Sequence, residues 1–426
     1  MNGLLQAEVI AAEPRRARVA LAGCGTVGGS LIRLLRERRT SVAHELDLRF
    51  DIVGVLVRDV RRPRVVESAA DVVTNDLRAW LAEDADVVVE ATGAPDTALQ
   101  IARATLGRGR RFVTANKALI AAHGPELAAL ARATGGRLHF EAAVGGGVPV
   151  IRVLREALRH TGVRAIRGVL NGTSNYVLTR MAEGEPLVEA LYQARRLGFA
   201  EADASRDLDG RDAADKIAIL AWLAFGIDPA AVQVHRQDLA GHADALLAAT
   251  RAHGGVLRQV AECVLTEGGV IAAVEPVILA AASPLAQVVA EENCVCVETR
   301  RSGVIRLFGP GAGGPPTAAA LLSDLLAPDS PEPAPRAVQP LARADDRPHE
   351  WALTTESGGA APVFAALDAH GIAVQWVKAE PTSPLHALTS PADRGRITAC
   401  VRALEQAGVH AVAVRTETGR GRGAKS

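Results

Sequence analysis

Between Leu197 and Lys216 the chain reads LGFAEADASRDLDGRDAADK, an acid-rich block that ends on a lysine at the mouth of an apolar helix. From Asp212 it continues DAADKIAILAWLAFG, with Lys216, Ile219, Leu220 and Leu223 at i, i+3, i+4 and i+7, so Lys216 shares the apolar helix face. Asp212 lies one turn before it. An inward lysine is costly unless paired, and desolvation lowers its pKa toward the range in which an amine exchanges protons. Only four of the 48 basic residues are lysines (117, 216, 378 and 425), so a lysine on this face suggests a need for a titratable amine. The same spacing also describes a helix-start ion pair whose lysine stem covers apolar surface while its head reaches water.

A second chemistry is written in Gly23-Cys24-Gly25-Thr26-Val27-Gly28, which follows the apolar strand 17–22 and opens the helical run SLIRLLRER. Strand, glycine turn and helix form the context of a dinucleotide site. Gly23 permits the tight turn, Gly25 lets backbone approach a pyrophosphate, and Gly28 lets helix and strand pack closely. Thr26 and Val27 lie in this turn as candidate cofactor contacts, and the helix that follows would offer its free N–H groups to the phosphates. The next strand, 51–57, ends in Arg58-Asp59. An arginine there favours the 2′-phosphate of NADP, and the acid behind it leaves NAD open; Arg58 also reads as a solvated loop charge. Farther on, Glu141 precedes Gly145-Gly146-Gly147. A carboxylate with turned-in carbonyls suits a hard cation, although an ordinary glycine turn accounts for the same residues. A later glycine turn, FGPGAGG (308–314), holds Gly311 and Gly313, and either closes over a cofactor or joins a strand to a helix.

The elements that must position these groups alternate. Strand candidates at 85–93 and 110–117, separated by helical stretches, predict an α/β fold with a parallel, doubly wound sheet. A helix is expected from Glu126. Residues 165–177 read as a strand running into a polar turn, Asn171-Gly172-Thr173-Ser174-Asn175, and extended segments follow around 269–308. Six prolines between Pro328 and Pro348 predict an extended linker. Residues 350–418 read βαββαβ, a ferredoxin-like unit. The expected organisation is a disordered lead (1–16), a dinucleotide-binding domain (17–143), an α+β substrate and dimerisation domain (144–327) whose end returns to the cofactor domain, a linker (328–348), the small unit (349–418) and a tail (419–426).

With 426 residues, zero formal net charge and 3% aromatic residues, nothing points to nucleic acid or an anionic membrane as a partner. No apolar run approaches the roughly 20 residues of a membrane span. The five cysteines are few and odd in number. Cys294 and Cys296, two apart in a strand-like run, are read as pointing to opposite faces, which suits neither a disulfide nor a zinc knuckle. A cytoplasmic location is expected.

Six blocks in order, GCGTVGGS (23–30), VTANKALIAAHGPEL (113–127), EAAVGGGVPVI (141–151), GVLNGTSNYVLTRM (168–181), LGFAEADASRDLDGRDAADK (197–216) and FGPGAGGPPTA (308–318), closely resemble homoserine dehydrogenase in its monofunctional form with a C-terminal ACT-like domain. The resemblance implies a Rossmann-type cofactor domain and reversible, NAD(P)-dependent interconversion of L-homoserine and L-aspartate 4-semialdehyde, in threonine and methionine biosynthesis. It implies Lys216 as proton donor and acceptor, with Lys117 in the same pocket and Asp212 beside them. Glu201, Asp212 and Asp207 would bind the substrate. Lys117, Gly198, Gly311 and Gly313 would join the glycine turn and Arg58 in holding the cofactor. Glu141 with the carbonyls of Val144, Gly146 and Val148 matches a structural sodium site, and a homodimer or larger homo-oligomer is expected. The competing reading from another class is a redox-responsive regulator that binds a dinucleotide without turnover. It would be favoured by loss of Lys216, Asp212 or Glu201, and all three are present.

Overall fold

A computed structural model of the chain describes residues 14–62, 73–200, 203–328, 334–342, 345–355, 359–379 and 384–418. It divides into two compact units: Met1–Asn116 with Glu126–Phe140 and Thr317–Glu332, and Lys117–Pro125 with Glu141–Pro316 and Pro333–Ser426. The expected tail (419–426) and most of the expected lead lie outside the described residues.

The first unit contains a six-stranded sheet of β1 (Arg15–Ala22), β2 (Leu48–Leu56), β3 (Val73–Thr74), β4 (Val87–Glu90), β5 (Arg111–Thr114) and β6 (Arg137–His139). Their order is β3-β2-β1-β4-β5-β6 and every pairing is parallel. This is the doubly wound order, in which the strand sequence reverses between β1 and β4 and leaves a crevice at their carboxyl ends. Val19–Ala22 and Val87–Glu90 are wholly buried, as expected of parallel strands covered on both faces. Two boundaries differ from expectation. Arg15 and Arg16, placed in a disordered lead, pair with Leu48 and Arg49. The strand expected at 110–117 stops at Thr114, and Lys117 instead opens a helix, Lys117–Thr134, that begins nine residues before Glu126 and runs through Pro125.

The second unit carries a ten-stranded sheet: β7 (Val163–Val169), β8 (Val234–Arg236), β9 (Val256–Thr266), β10 (Gly269–Leu279), β11 (Glu292–Thr299), β12 (Gly303–Pro310), β13 (Glu350–Thr355), β14 (Val374–Lys378), β15 (His386–Thr389) and β16 (Ala411–Glu417). The path is β12-β11-β7-β9-β10-β16-β13-β15-β14. Its last four strands, with helices Ala360–Ala369 and Arg394–Gln406, form the ferredoxin-like βαββαβ unit. One edge of β10 pairs with β9 along its whole length. Its other edge is shared by β8, at Ala272–Val274, and β16, at Val277–Leu279. Pro276, which has no N–H to donate, falls between the two partners. All eleven residues of β10 are buried.

Of the proline-rich stretch expected as a linker, the described residues 334–342 are held by the second unit: Val270 donates to Pro340 O and Ala342 to Val270 O on β10, and Gln339 donates to Phe225 O at the end of helix Arg211–Phe225. Cys294 and Cys296 are corrected too. Strand periodicity is two, so i and i+2 share a face, and their sulfurs lie 3.9 Å apart as free thiols. No helix among the described residues is long and apolar enough to cross a membrane.

Candidate active site

The helix Arg211–Phe225 packs on β9 and β10 and buries Ile217–Ala221. Asp212, in its first turn, is the hub of the site. Its Oδ2 is 2.7 Å from Lys216 Nζ and its Oδ1 is 2.8 Å from Lys117 Nζ, so one carboxylate holds two ammonium groups. Lys216 also donates to Leu170 O at 2.7 Å. Side-chain exposure is 9% for Asp212, 12% for Lys216 and 38% for Lys117, so Lys216 is the more enclosed amine. With two of its three hydrogens engaged, one is left for a ligand oxygen.

The polar run Asn171–Asn175, expected as a turn, is the cap and first turn of a helix, Gly172–Ala182. Asn171 in extended backbone accepts from Ser174 N at 2.7 Å, as N-cap residues do. Its amide donates to Asp207 Oδ1 at 2.7 Å and to Asp212 Oδ2 at 2.8 Å. Asn171 was not among the candidates from sequence; the polar block NGTSN was the signal that could have found it.

Burial works to raise the Asp212 carboxyl, but Lys216 and Lys117 outweigh it and hold the group well below the ordinary carboxylate range. Burial works to lower the Lys117 ammonium, yet Asp212, with Asp207 and Asp215 behind it, keeps it above the usual lysine value. Asp207 is pushed up by burial and by the Asp212 charge, against the hydrogen bond from Asn171. The arrangement presents fixed ammonium donors beside a permanently ionised acid, suited to proton exchange with an alcohol or carbonyl oxygen.

Glu201 lies outside the described residues. Gly198 caps helix Leu187–Leu197 in the left-handed conformation (φ 79°), and Thr173 donates to Phe199 O at 2.5 Å in the segment that follows. A cavity of about 490 Å³ flanks the neighbouring face of helix Arg211–Phe225, lined by Ala118, Arg206, Arg211, Ala214, Asp215 and Ala218 among others; neither lysine lines it.

In the first unit, Thr26 and Val27 open helix Thr26–Glu37, which has no side-chain cap at its N-terminus and no acid in its first turn. Such an end suits an anion. Gly23 adopts φ +92°, and a Cβ there would stand 2.4 Å from Ala91 O; one at Gly28 would stand 2.0 Å from Gly23 O. Both positions therefore exclude side chains. A Cβ at Gly25 would meet nothing within 4 Å, which leaves the turn open where a pyrophosphate would approach. At the end of β4, buried Glu90 accepts from Thr92 N and Thr92 Oγ1, each at 2.7 Å, and from Thr114 Oγ1 at 2.5 Å, shaping the loop there. Arg58, two residues past β2, is exposed.

Glu141 is buried, and its two oxygens accept Ile151 N and Arg152 N at 2.8 Å each. Burial pushes its carboxyl up to about 7 against those hydrogen bonds and the charges of Arg152 and Arg155. Val144, Gly146 and Val148 follow in the same tight loop, where Gly147 N donates to Pro310 O at 3.0 Å. Gly311 lies against Gly146 and the Asn293 side chain, and Gly313 has φ +106°.

Family models described as the NAD binding domain of homoserine dehydrogenase and as homoserine dehydrogenase match residues 23–141 and 149–326. The chain is 38% identical over 315 residues to the homoserine dehydrogenase of Corynebacterium glutamicum, spanning 72% of this chain and 71% of that protein. It is 35% identical over 312 residues to the Bacillus subtilis enzyme, spanning 73% and 72%. The solved homoserine dehydrogenase of Thiobacillus denitrificans matches with a TM-score of 0.83 at 26% identity, over 95% of this chain and 98% of that one. A hyperthermophilic archaeal homoserine dehydrogenase in complex with NADPH matches at 0.62 and 27% identity, over 73% and 97%. With both family models in chain order and relatives alike over some 70% of their length, this chain belongs to the homoserine dehydrogenase family of NAD(P)-dependent oxidoreductases.

Proposed function

We propose that in this chain Lys216 exchanges the proton of the reacting oxygen as L-homoserine and L-aspartate 4-semialdehyde interconvert. The nicotinamide cofactor, when bound, takes up or supplies the hydride at the alcohol or aldehyde carbon. In the reducing direction the Lys216 ammonium gives its proton to the aldehyde oxygen; in the oxidising direction the amine takes it back. Asp212 aims Lys216 and Lys117, and its negative charge favours the charged form of Lys117. Lys117 is the second donor at the reacting end. Glu201 supplies the anion that a substrate amino group requires, Asp212 meets the substrate's polar end, and Asp207 completes the substrate-binding set. The single observation that carries this reading is the Asp212 carboxylate shared between two lysines.

The residues of the glycine turn fit a dinucleotide, because the uncapped helix end and the open side of Gly25 leave room for a pyrophosphate. Gly198, Gly311 and Gly313 complete the proposed cofactor set. Arg58 is proposed to favour NADP, the cofactor form carried by the archaeal relative. Initial rates with L-homoserine and each cofactor are expected to favour NADP, and Arg58→Ala to cut that preference by about tenfold, the scale of one charged phosphate contact. Wild-type protein that binds a cofactor but turns over with neither would put the regulator reading first.

Glu141 with the carbonyls of Val144, Gly146 and Val148 is an all-oxygen donor set with one carboxylate, which fits sodium. Sodium chloride is expected to raise the unfolding temperature by about 3 °C over choline chloride at equal ionic strength. Glu141→Gln should lose that difference; a variant that keeps it rules out this site. The ferredoxin-like unit is read as ACT-like and as serving assembly in the cytoplasm. Exposed Val304 and Phe308 on the edge strand β12 are apolar surface that a second copy would cover. Light scattering should give at least twice the 44.4 kDa chain mass, and a monomer would refute the homodimer.

A further inference from the structure

The site contains a neutral side chain that gives both of its hydrogens to charged members. Asn171 is 4% exposed and its side chain makes three hydrogen bonds with divided purposes. Its carbonyl oxygen caps helix Gly172–Ala182 through Ser174 N. Its amide nitrogen spends both hydrogens on carboxylates, Asp207 Oδ1 at 2.7 Å and Asp212 Oδ2 at 2.8 Å. Leu170, the preceding residue, takes a hydrogen from Lys216 at 2.7 Å. The dipeptide Leu170-Asn171 thus holds both ends of the Lys216–Asp212 pair at the start of helix Gly172–Ala182.

We propose that Asn171 is a positioning residue for the reaction: its amide bridges Asp207 and Asp212, so that the two acids stay ionised side by side and Asp212 keeps Lys216 in a single orientation. This inference rests on the reading of Lys216 and Asp212 as reacting residues. A cap alone does not explain the choice of residue. Aspartate and serine cap a helix as well as asparagine does, but aspartate has no hydrogen to donate and serine is too short to reach two carboxylates. Two carboxylates left facing each other repel, and the one with less cationic support takes up a proton. That is Asp207, because Asp212 is held by Lys216 and Lys117. The other charges near the pair, Asp215 with its partner Arg206 at 2.9 Å and Asp209 with Arg211 at 2.6 Å, are engaged with each other.

Asn171→Asp and Asn171→Ser test the donor role while sparing the cap. Both variants are expected to unfold within a few degrees of wild type. Asn171→Ser should lose about tenfold in kcat/KM and Asn171→Asp up to about a hundredfold, the range of charge-assisted hydrogen bonds. The acidic limb of the pH profile should move to higher pH in both, farther in Asn171→Asp because it adds a negative charge. Two variants with wild-type rates and an unmoved acidic limb would overturn the proposal. So would a large loss of stability in both, which would make Asn171 a structural residue. If Lys216→Ala is inactive while both Asn171 variants behave as wild type, this inference alone fails. If Lys216→Ala is active, the reading of the reacting pair fails with it.

Discussion

Lys216→Ala is expected to lower kcat by roughly two or more orders of magnitude while cofactor affinity stays near wild type, since removing a positioned acid–base group costs about 10²- to 10⁴-fold. The geometry sets where the loss falls. Lys216 is 12% exposed and held by Asp212 and by Leu170 O, so no water-borne base replaces it at the same place. The fold should survive, because Asp212 keeps Lys117 at 2.8 Å and Asn171 at 2.8 Å as partners. Lys216→Arg is expected to be nearly as impaired: a guanidinium preserves the charge beside Asp212 but does not release a proton at neutral pH. Rapid mixing with L-homoserine and NADP, together with cofactor titration by fluorescence, separates the chemical step from binding. An alanine variant as active as wild type would remove Lys216 from the reaction and leave Lys117 as the candidate amine.

The second large effect is expected at a separate charge cluster on β9, β10 and β16. Arg415 on β16 is 1% exposed and reaches Glu262 Oε1 at 2.8 Å and Oε2 at 3.0 Å, Glu275 Oε1 at 2.9 Å and Glu417 Oε1 at 3.2 Å. Glu262 is also met by Arg167 at 3.1 Å and Arg347 at 2.7 Å, and Arg394 binds Glu275 and Asp345. Burial opposes ionisation of Glu262, Glu275 and Asp345, but their arginines prevail and hold all three below the usual carboxylate range. His349, partly buried and facing Arg415 and Arg347, is lowered to about 4 and stays neutral. Arg415→Ala is therefore expected to cost about 3–5 kcal/mol, because it leaves buried carboxylates short of charge. That is a large part of a typical folding free energy. Denaturant unfolding checks it, and a loss below about 1 kcal/mol would show that the other arginines suffice. Replacing a whole buried ion cluster by apolar residues can be neutral, so the prediction concerns the unpaired charge rather than the net worth of the cluster.

The same network sets a pH dependence. Its carboxylates release protons more readily in the folded than in the unfolded chain, so their stabilisation is complete above about pH 5. It is lost as pH falls through their depressed folded values. The wild type should lose stability steeply in acid, and Arg415→Ala, already short of a cation, should show a shallower slope.

Features carried by neighbours within a few residues were legible from the sequence. The glycine turn, the amphipathic helix with Asp212 one turn before Lys216 and the βαββαβ order follow from spacing and residue type, because helix, strand and turn preferences act over two to four positions; the family was legible only through the resemblance of six ordered blocks. Errors clustered where a local signal was ambiguous. Asn171–Asn175 looked like a turn because asparagine, glycine and serine favour turns and helix caps for the same hydrogen-bonding reason. Lys117 looked like the end of a strand because Ala115-Asn116 separates it from β5 without an obvious helix signal.

Tertiary structure alone decided the rest. That Lys117 shares Asp212 with Lys216, that Asn171 bridges two acids, and that Arg415 finds Glu262 153 residues away depend on which segments fold side by side, and no periodicity encodes that. The junction of β16 with β10 is of the same kind. A free strand edge is satisfied by whatever strand the global packing brings to it, and Pro276 only marks where one partner stops and the next begins. Local sequence determined the chemical groups and their elements; long-range pairing of buried charges and strand edges determined which groups meet, because an unpaired charge or backbone group is costly only once the fold has removed it from water.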